Sequence, residues 1–316
     1  MQKISDSQNF LYDVGLVKKL VQNANIMQDD VVLEVGPGKG IITKELLHNC
    51  KELIAVEFDK SLFEQLTKKF EQSQNLKLVY GDFLKYKLPE AEYKVFSNIP
   101  FNITADIISK LLIDTNNIPV DMYLIMQYEA TLKYAGSPYY SESLKSLMLK
   151  PMVDIEIIHE FKATDFKPAP NVSIVLTHFH RKEFCDIKKA PMIDYWDFIS
   201  FVYSAPGKTF KEKTKKIFSY EQQKRLKKAL EIDDEISITC WTYSQWLKMF
   251  DVYNKMVSKE KKELVKDSYK RLLLEQAKLD KVHRNRNANN HGKAILNNKQ
   301  KNGKLKLNNK KTQKKT

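Results

Sequence analysis

The strongest candidate for chemistry in this sequence is the tetrapeptide Asn98-Ile99-Pro100-Phe101. The Asn98 side-chain oxygen and the Ile99 carbonyl are two neighbouring acceptors, and Pro100 fixes the turn without adding an N–H. Acceptors on both N–H bonds of an adenine N6 amine would free its lone pair for attack, and Phe101 offers a stacking face for an extruded base. Asn-x-Pro is also an ordinary turn sequence. This tetrapeptide follows, along the chain, a glycine-rich turn and two acidic strand ends that are typical of a cofactor site. That order favours catalysis at adenine N6.

A glycine-rich turn at residues 34–40 (Glu-Val-Gly-Pro-Gly-Lys-Gly) is the second candidate. Gly36 and Gly38 permit a tight turn and a close approach of a ligand to the backbone. The spacing is GxGxG, whereas dinucleotide-binding proteins have GxGxxG, which favours S-adenosylmethionine over a nicotinamide cofactor. An ordinary strand–turn–helix connection would use the same glycines. We expect Glu34, Gly36 and Gly38 to contribute to a cofactor site.

Acidic residues follow the next two predicted strands. Glu57 lies 19 residues after Gly38 and can accept hydrogen bonds from both hydroxyls of a ribose, with Phe58 beside it to pack on adenine. Asp82 can accept a hydrogen bond from the amino group of the cofactor adenine, and Phe83 can cover a ring face. Either carboxylate could also be a solvated turn residue.

Two further segments carry weaker signals. Two prolines stiffen the loop that begins with Phe166-Lys167-Pro168, and this loop could hold Phe166 against the second face of the target base. A rigid connector between two strands would have the same pattern. Gln8-Asn9-Phe10, near the N-terminus, has no interpretable chemistry by itself.

The elements that position these motifs follow from hydrophobic periodicity. Over residues 1–180, short apolar runs alternate with helical patterns, which predicts an α/β domain with one doubly wound sheet. The strands are expected at residues 31–35, 53–57, 76–80, 95–97, 121–126, 153–161 and 174–179. The glycine turn, Glu57, Asp82 and Asn98 each follow one strand, so they should meet at the carboxyl edge of the sheet.

The pattern of hydrophobic and charged residues changes near Arg181. Residues 181–254 predict a small all-helical domain, and residues 181–230 contain 13 Lys or Arg against 6 Asp or Glu. Residues 255–316 are expected to form a charged helical extension and a disordered basic tail. This tail is rich in Asn and Lys and has too little apolar surface to fold alone.

Composition indicates the class of partner. The net charge is +14, and residues 281–316 hold 12 of the 53 basic residues and no acidic residue. Such a charge suggests an acidic polymer as partner. The three cysteines are far apart, without CxxC or nearby histidine ligands, so we expect neither disulfides nor a metal site. With no apolar leader, membrane span or heptad seam in the sequence, we expect a cytoplasmic, monomeric protein.

In this order, the motifs resemble the rRNA adenine N6-dimethyltransferase family, which includes the erythromycin-resistance (Erm) enzymes and the small-subunit rRNA dimethyladenosine transferases. The similarity runs from about residue 7 to residue 253. It implies a Rossmann-like, S-adenosylmethionine-dependent methyltransferase domain followed by a helical RNA-binding domain, with rRNA as partner. The expected catalytic set is Asn98, Ile99, Pro100, Phe101 and Phe166. The expected cofactor-binding set is Gln8, Asn9, Phe10, Glu34, Gly36, Gly38, Glu57, Phe58, Asp82, Phe83 and Asn98.

Within the family the sequence is more similar to the Erm branch. Residues 7–11 (Ser-Gln-Asn-Phe-Leu) lack the Leu-Gly that usually precedes Gln-Asn-Phe in small-subunit enzymes, and Ile-Pro-Phe replaces their Leu-Pro-Tyr. Residues 215–218 and 245–250 are also Erm-like. This implies methylation of one 23S rRNA adenine, in the peptidyl-transferase loop, and resistance to macrolide, lincosamide and streptogramin B antibiotics.

Three features depart from that branch, and three other interpretations stay open. Gly-Pro-Gly at residues 36–38 is commoner in small-subunit enzymes, Asn171 replaces a usual Lys, and the basic tail is not general to the family. A small-subunit dimethyladenosine transferase is therefore the first alternative. A noncatalytic nucleic-acid-binding protein would not require an intact Asn98-Ile99-Pro100-Phe101. A nicotinamide oxidoreductase is disfavoured by the glycine spacing and by the lack of a Tyr-xxx-Lys or catalytic-looking His near the cofactor motif.

Overall fold

A parallel sheet forms the centre of the N-terminal half of the chain. The computed structural model describes residues 9–233 and 237–283. The parallel strands are β2 (Val31–Val35), β3 (Glu52–Glu57), β4 (Leu76–Tyr80), β5 (Lys94–Asn98) and β6 (Asp121–Gln127). Their order is β4-β3-β2-β5-β6, so the chain reverses direction across the sheet between β2 and β5. This reversal is the topological switch point at which α/β sheets bind ligands.

Two antiparallel strands complete the seven-stranded sheet. They are β7 (Val153–Glu160) and β9 (Ile174–Arg181), and β9 lies between β6 and β7. A separate two-stranded ladder pairs β1 (Phe10–Leu11) with β8 (Phe166–Lys167). The expected Rossmann-like fold is confirmed, and the strands predicted from periodicity agree with the structure within two residues at each end.

Helices cover both faces of the sheet. They are α1 (Val14–Asn23), α2 (Ile41–Leu47), α3 (Lys60–Lys69), α4 (Thr104–Leu112), α5 (Tyr128–Ala135) and α6 (Leu144–Leu149). One apolar core includes Val17 and Leu20 of α1 with Leu46 of α2, and the other includes Ile107 and Leu111 of α4. Hydrophobic periodicity does not single out α1. This helix begins at an N-cap formed by Asp13, whose carboxylate accepts from the Leu16 N–H at 3.0 Å.

The second half of the described chain is helical. It contains α7 (Met192–Ser204), α8 (Phe210–Thr214), α9 (Tyr220–Leu230), α10 (Tyr243–Met256), α11 (Lys259–Val265) and α12 (Ser268–His283). Phe198, Trp246 and Phe250 are central in their shared core, which also includes Leu147 and Met148 of α6. The helical part is therefore built in part on residues from before Arg181.

The charged extension begins as a packed part of this helical unit. Asp197 of α7 accepts hydrogen bonds from the backbone N–H groups of Asp267 and Tyr269, at 2.8 and 2.9 Å. Trp196 packs against Tyr269 with ring centroids 5.5 Å apart. The expected basic tail beyond His283 lies outside the described residues, and the domain boundaries at 180 and 254 stay a prediction. Across residues 9–233 and 237–283, no helix combines the length and apolarity needed to cross a membrane.

Candidate active site

A cleft opens where the carboxyl ends of β2, β3, β4 and β5 meet. Thirteen of the fifteen residues expected from the sequence line it: Asn9, Phe10, Glu34, Gly36, Gly38, Glu57, Phe58, Asp82, Phe83, Asn98, Ile99, Pro100 and Phe101. Gln8 lies outside the described residues, and Phe166 does not line the cleft. Parallel strands thus bring together motifs that are separated by up to 92 positions in the chain.

The glycine turn requires glycine for two separate reasons. Gly36 and Gly38 have φ of 66° and 59°, in the left-handed region that other L-residues rarely adopt. A Cβ on Gly38 would also lie 2.8 Å from the Phe10 ring, whereas a Cβ on Gly36 would come no closer than 4.0 Å to Pro100. The backbone at Gly38 is therefore closely covered by Phe10, and the backbone at Gly36 is more open toward Pro100.

Glu57 fastens the glycine turn to the end of β3. Its two carboxylate oxygens accept hydrogen bonds from the backbone N–H groups of Gly38 at 3.0 Å and Asp59 at 2.8 Å. Burial raises the pKa of Glu57, and these backbone donors oppose that rise. Each carboxylate oxygen has a second lone pair, so Glu57 can also accept from a ligand diol at the cleft.

Glu34 is buried beneath the turn, at the end of β2. Thr43 of α2 donates its hydroxyl to the Glu34 carboxylate at 2.7 Å. Burial raises the pKa of Glu34 to about 8, with a smaller contribution from the Glu57 carboxylate nearby. Glu34 is therefore largely protonated at neutral pH, which places a neutral hydrogen-bonding group under the turn.

Asp82 and two phenylalanines form the far wall of the cleft. One Asp82 carboxylate oxygen accepts from the Leu84 N–H at 2.9 Å and holds the short helical turn at residues 83–85. Phe83 is buried, whereas Phe58 is 54% exposed with its side chain at the cleft. A cleft lined by an acidic group, an exposed aromatic ring and a buried aromatic ring is suited to a flat heterocycle that carries an amino group.

Asn98 has a defined side-chain orientation. Its Nδ2 donates to the backbone carbonyl of Asn9 at 2.9 Å, and because a carbonyl only accepts, the other side-chain atom must be Oδ1. Across residues 9–233 and 237–283, nothing donates to the Asn98 Oδ1 or to the Ile99 carbonyl. Two acceptors are thus available at the end of β5, as the adenine hypothesis requires.

The two phenylalanines expected to hold a base have different surroundings. Phe101 is half-buried and lines the cleft just after Pro100. Phe166 is only 2% exposed, and it packs in the core edge-on to Phe161, with ring centroids 5.3 Å apart. The Phe166 ring thus lies away from the cleft in this structure, and its stacking on the target base stays a prediction. Pairing of β8 with β1 places Phe166 opposite Leu11 and turns its ring into the core.

Several residues at the cleft were not expected there from the sequence. Lys39 lies with its ammonium 5.0 Å from the centre of the Phe10 ring, at the mouth of the glycine turn. Asn102 and Ile103 line the cleft after Phe101. Contacts such as these depend on the path of the chain after each strand, so residue type and spacing alone do not reveal them.

With this geometry in place, comparison with known proteins decides the family. A family model described as "Ribosomal RNA adenine dimethylase" matches residues 1–255. The chain belongs to this family. The match includes every motif at the cleft and most of the helical unit. The expected enzyme class, an rRNA adenine N6-methyltransferase, is thereby confirmed.

Named relatives and solved structures agree with this assignment. An "rRNA adenine N-6-methyltransferase" from Bacteroides fragilis is 32% identical over 77% of this chain and 90% of its own. A "Probable ribosomal RNA small subunit methyltransferase A" from Methanopyrus kandleri is 34% identical over 52% of this chain and 59% of its own. The crystal structure of the 23S rRNA methyltransferase ErmE, 22% identical, covers 78% of this chain and 100% of its own with a TM-score of 0.72. That likeness confirms the fold.

Proposed function

We propose that this protein transfers methyl groups from S-adenosylmethionine to N6 of a specific adenine in 23S rRNA, and so confers resistance to macrolide, lincosamide and streptogramin B antibiotics. The observation that carries the chemical part is the pair of available acceptors, Asn98 Oδ1 and the Ile99 carbonyl, at the end of β5. The antibiotic part rests on the similarity to the Erm branch.

The cleft fits S-adenosylmethionine in three respects. The more open backbone at Gly36 suits the methionine part, which carries both an amine and a carboxylate. The buried Glu57 carboxylate suits the ribose hydroxyls, and Asp82 with Phe58 and Phe83 suits the adenine. When bound, this cofactor supplies an electrophilic methyl group on a sulfonium. The RNA would supply the N6 nucleophile. Transfer would leave the sulfur as a neutral thioether and would be completed by loss of one N6 proton to water. Binding and positioning would come from the protein.

The protein's contribution is positioning and electrostatics. The target adenine must leave its stack to reach the cleft, where Phe101 provides a stacking face. Asn98 Oδ1 and the Ile99 carbonyl then each accept a hydrogen bond from one of the two N6–H groups. These hydrogen bonds draw the nitrogen lone pair out of conjugation with the ring. Acceptors held in place before the reaction cost no reorganisation during it, so such groups account for much of an enzyme's rate enhancement.

RNA binding is proposed for the basic face of the helical unit. Exposed cations lie within and beside α8 and α9, namely Lys208, Lys211, Lys215, Lys216, Lys224, Arg225 and Lys228. Phosphate contacts of this kind position an RNA without reading its sequence. The basic tail, rich in Lys and without acidic residues, would add further nonspecific attraction.

The preference for 23S rRNA has support of its own. Relatives named rRNA adenine N-6-methyltransferase align over 77–80% of this chain, which includes the helical unit. Two relatives named as small-subunit enzymes align over only 52% and 60%. The longer alignment with the relatives named rRNA adenine N-6-methyltransferase supports the Erm-like assignment made from the motifs.

Drug resistance tests the proposal in cells. A macrolide-susceptible bacterium expressing this protein should grow at erythromycin concentrations that inhibit the parent strain, and the Asn98→Ala variant should abolish that protection. The matched control is Asn116→Ala, an exposed asparagine in the loop between α4 and β6. Full expression without protection, together with methylation of 16S rRNA, would show that the protein acts as a small-subunit enzyme instead.

A further inference from the structure

The amino edge of the sheet, opposite the cleft, carries a cluster of three potential metal ligands. Asp121 is the first residue of β6, and His178 and His180 lie two residues apart on the neighbouring β9. In the antiparallel register Asp121 is paired with His180, and Tyr123 with His178. Alternate residues of a strand point to the same face, so all three side chains converge on one side of the sheet.

The three side chains meet at a single carboxylate oxygen. His178 Nε2 and His180 Nδ1 each lie 2.8 Å from Asp121 Oδ1, and the three potential ligand atoms are all within 4.8 Å of one another. Asp121 is buried, whereas the His180 side chain is 50% exposed. One side of the cluster is therefore open to water.

The second oxygen of Asp121 already has protein partners. Asn25 Nδ2 donates to Oδ2 at 3.2 Å, and the Lys94 ammonium lies 3.7 Å from it. Lys94 is itself held by Asp30 at 2.9 Å. Because the Lys94 ammonium faces Oδ2, its positive charge lies on the side of the carboxylate away from the two imidazoles. Within the described part of the chain, Oδ1 has only the two imidazoles.

The imidazole of His178 is also held in place by a stacked aromatic ring. Its ring stacks on Tyr123 with centroids 4.4 Å apart and an interplanar angle of 4°. The Tyr123 hydroxyl accepts from the Asn25 N–H at 2.9 Å, which links this support to the residue that orients Asp121. Metal sites typically show this kind of secondary support, in which ligands are held in orientation by further contacts.

We propose that Asp121, His178 and His180 form a binding site for a Zn²⁺-class divalent ion, with water as the fourth ligand. Two imidazoles and one carboxylate form a set that Zn²⁺ and its neighbours in the transition series prefer, in contrast to the all-oxygen sets of Mg²⁺ and Ca²⁺. Ligand atoms around a tetrahedral ion with bonds of about 2.0–2.1 Å lie about 3.3 Å apart. The two distances from Asp121 Oδ1 to the histidine nitrogens, now 2.8 Å, therefore need to lengthen by only about 0.5 Å. The two histidine nitrogens, which lie within 4.8 Å of each other, must reach a similar separation.

Binding of the ion requires no oxidant, reductant or other co-reactant. In the metal-free cluster His178 Nε2 and His180 Nδ1 carry the protons that they donate to Asp121 Oδ1. To coordinate through these atoms, each imidazole must lose that proton to water and take one up on its other ring nitrogen, Nδ1 of His178 and Nε2 of His180, so the exchange is balanced. The ionised carboxylate coordinates through Oδ1. Because this site is at the amino edge of β6 and the cleft is at the carboxyl edge, the ion would link β6 to β9 and stabilise the sheet without taking part in methyl transfer. The sequence alone predicts no metal, since the His-x-His pair gains its third ligand only through strand pairing.

Cobalt titration of the untagged full chain tests the site. Co²⁺ reports its coordination number through the intensity of its visible absorption, which is strong for tetrahedral sites. We expect one tight site in the wild type and a loss of affinity greater than about 100-fold in His178→Gln and in His180→Gln, more than removal of an outer-shell partner causes. The matched control is His159→Gln on the adjacent β7, which should bind like the wild type.

Thermal unfolding with Zn²⁺ is the second measurement. At a free Zn²⁺ concentration roughly 100-fold above Kd, the Tm of the wild type should rise by about 5 °C or more, and that of His180→Gln should not change. His180 is half exposed, so this variant is expected to fold. Wild-type Co²⁺ affinity retained in both histidine variants, or no tight Co²⁺ site in the wild type, would overturn the proposal and leave a hydrogen-bonded cluster.

Discussion

The side-chain amide of Asn98 donates to the backbone carbonyl of Asn9 at 2.9 Å. This bond links the end of β5 to the segment just before β1, 89 positions earlier in the chain, and it fixes which side-chain atom of Asn98 faces the cleft. The N-terminal segment therefore does more than cover the glycine turn. It orients the acceptor on which the proposed reaction depends.

Loss of that acceptor should affect turnover more than cofactor binding. Asn98→Ala is expected to lower kcat by about 10²–10³-fold, the range typical for removal of one preorganised hydrogen-bonding group. The Kd for S-adenosylmethionine, measured by calorimetry, should change little because Glu57 and the glycine turn are untouched. Asn116→Ala should leave both quantities at their wild-type values. An Asn98→Ala enzyme with normal kcat would rule out the acceptor role.

The two turn glycines should respond differently to an added methyl group. Gly36→Ala and Gly38→Ala each place alanine at a positive φ, at a cost of about 1–2 kcal/mol. Only Gly38→Ala also forces a Cβ to within 2.8 Å of the Phe10 ring. Gly38→Ala should therefore lower the free energy of unfolding further than Gly36→Ala in urea titrations. Equal losses would mean that Phe10 does not cover the turn in solution.

Glu34 should make stability depend on pH. The pKa of Glu34 is raised to about 8 by burial, so the folded protein holds a proton that the unfolded chain releases near its ordinary pKa. The free energy of unfolding should consequently be highest below the unfolded pKa and fall as pH rises toward 8, by at most about 1.4 kcal/mol per pH unit from this group. In Glu34→Gln this contribution should vanish. Parallel pH profiles for the two proteins would show that Glu34 titrates normally.

Alanine variants of Phe101 and Phe166 should distinguish loss of base stacking from loss of core packing. Phe166→Ala removes a buried ring and should lower the free energy of unfolding by about 3–5 kcal/mol. Phe101→Ala should cost less stability and instead lower kcat/KM by the equivalent of about 1–3 kcal/mol, the value of one base–aromatic stack. The two measurements are a urea titration and steady-state methyl transfer. A stable Phe166→Ala protein with impaired kcat/KM would restore Phe166 to the base site.

The fold and most of the cleft could be predicted because each motif directly follows a strand. Parallel strands bring their carboxyl ends together, so Gly36, Glu57, Asp82 and Asn98 meet whatever the intervening helices contain. The burial of the Phe166 ring could not be predicted because a two-residue ladder with β1 decides where this ring points, and such a short strand has no periodicity to read. The Asp121–His178–His180 cluster could not be predicted from the sequence for a related reason, since Asp121 comes from a different strand than the two histidines.

Methyl transfer from labelled S-adenosylmethionine to deproteinised 23S and 16S rRNA, offered separately, tests the central claim most directly. Primer extension then maps the modified base, and the Asn98→Ala variant serves as the background. We expect label in 23S rRNA alone, with an extension stop at one adenine of the peptidyl-transferase loop. Label confined to 16S rRNA would contradict the proposed substrate, and RNA binding without label in either RNA would contradict the proposed activity.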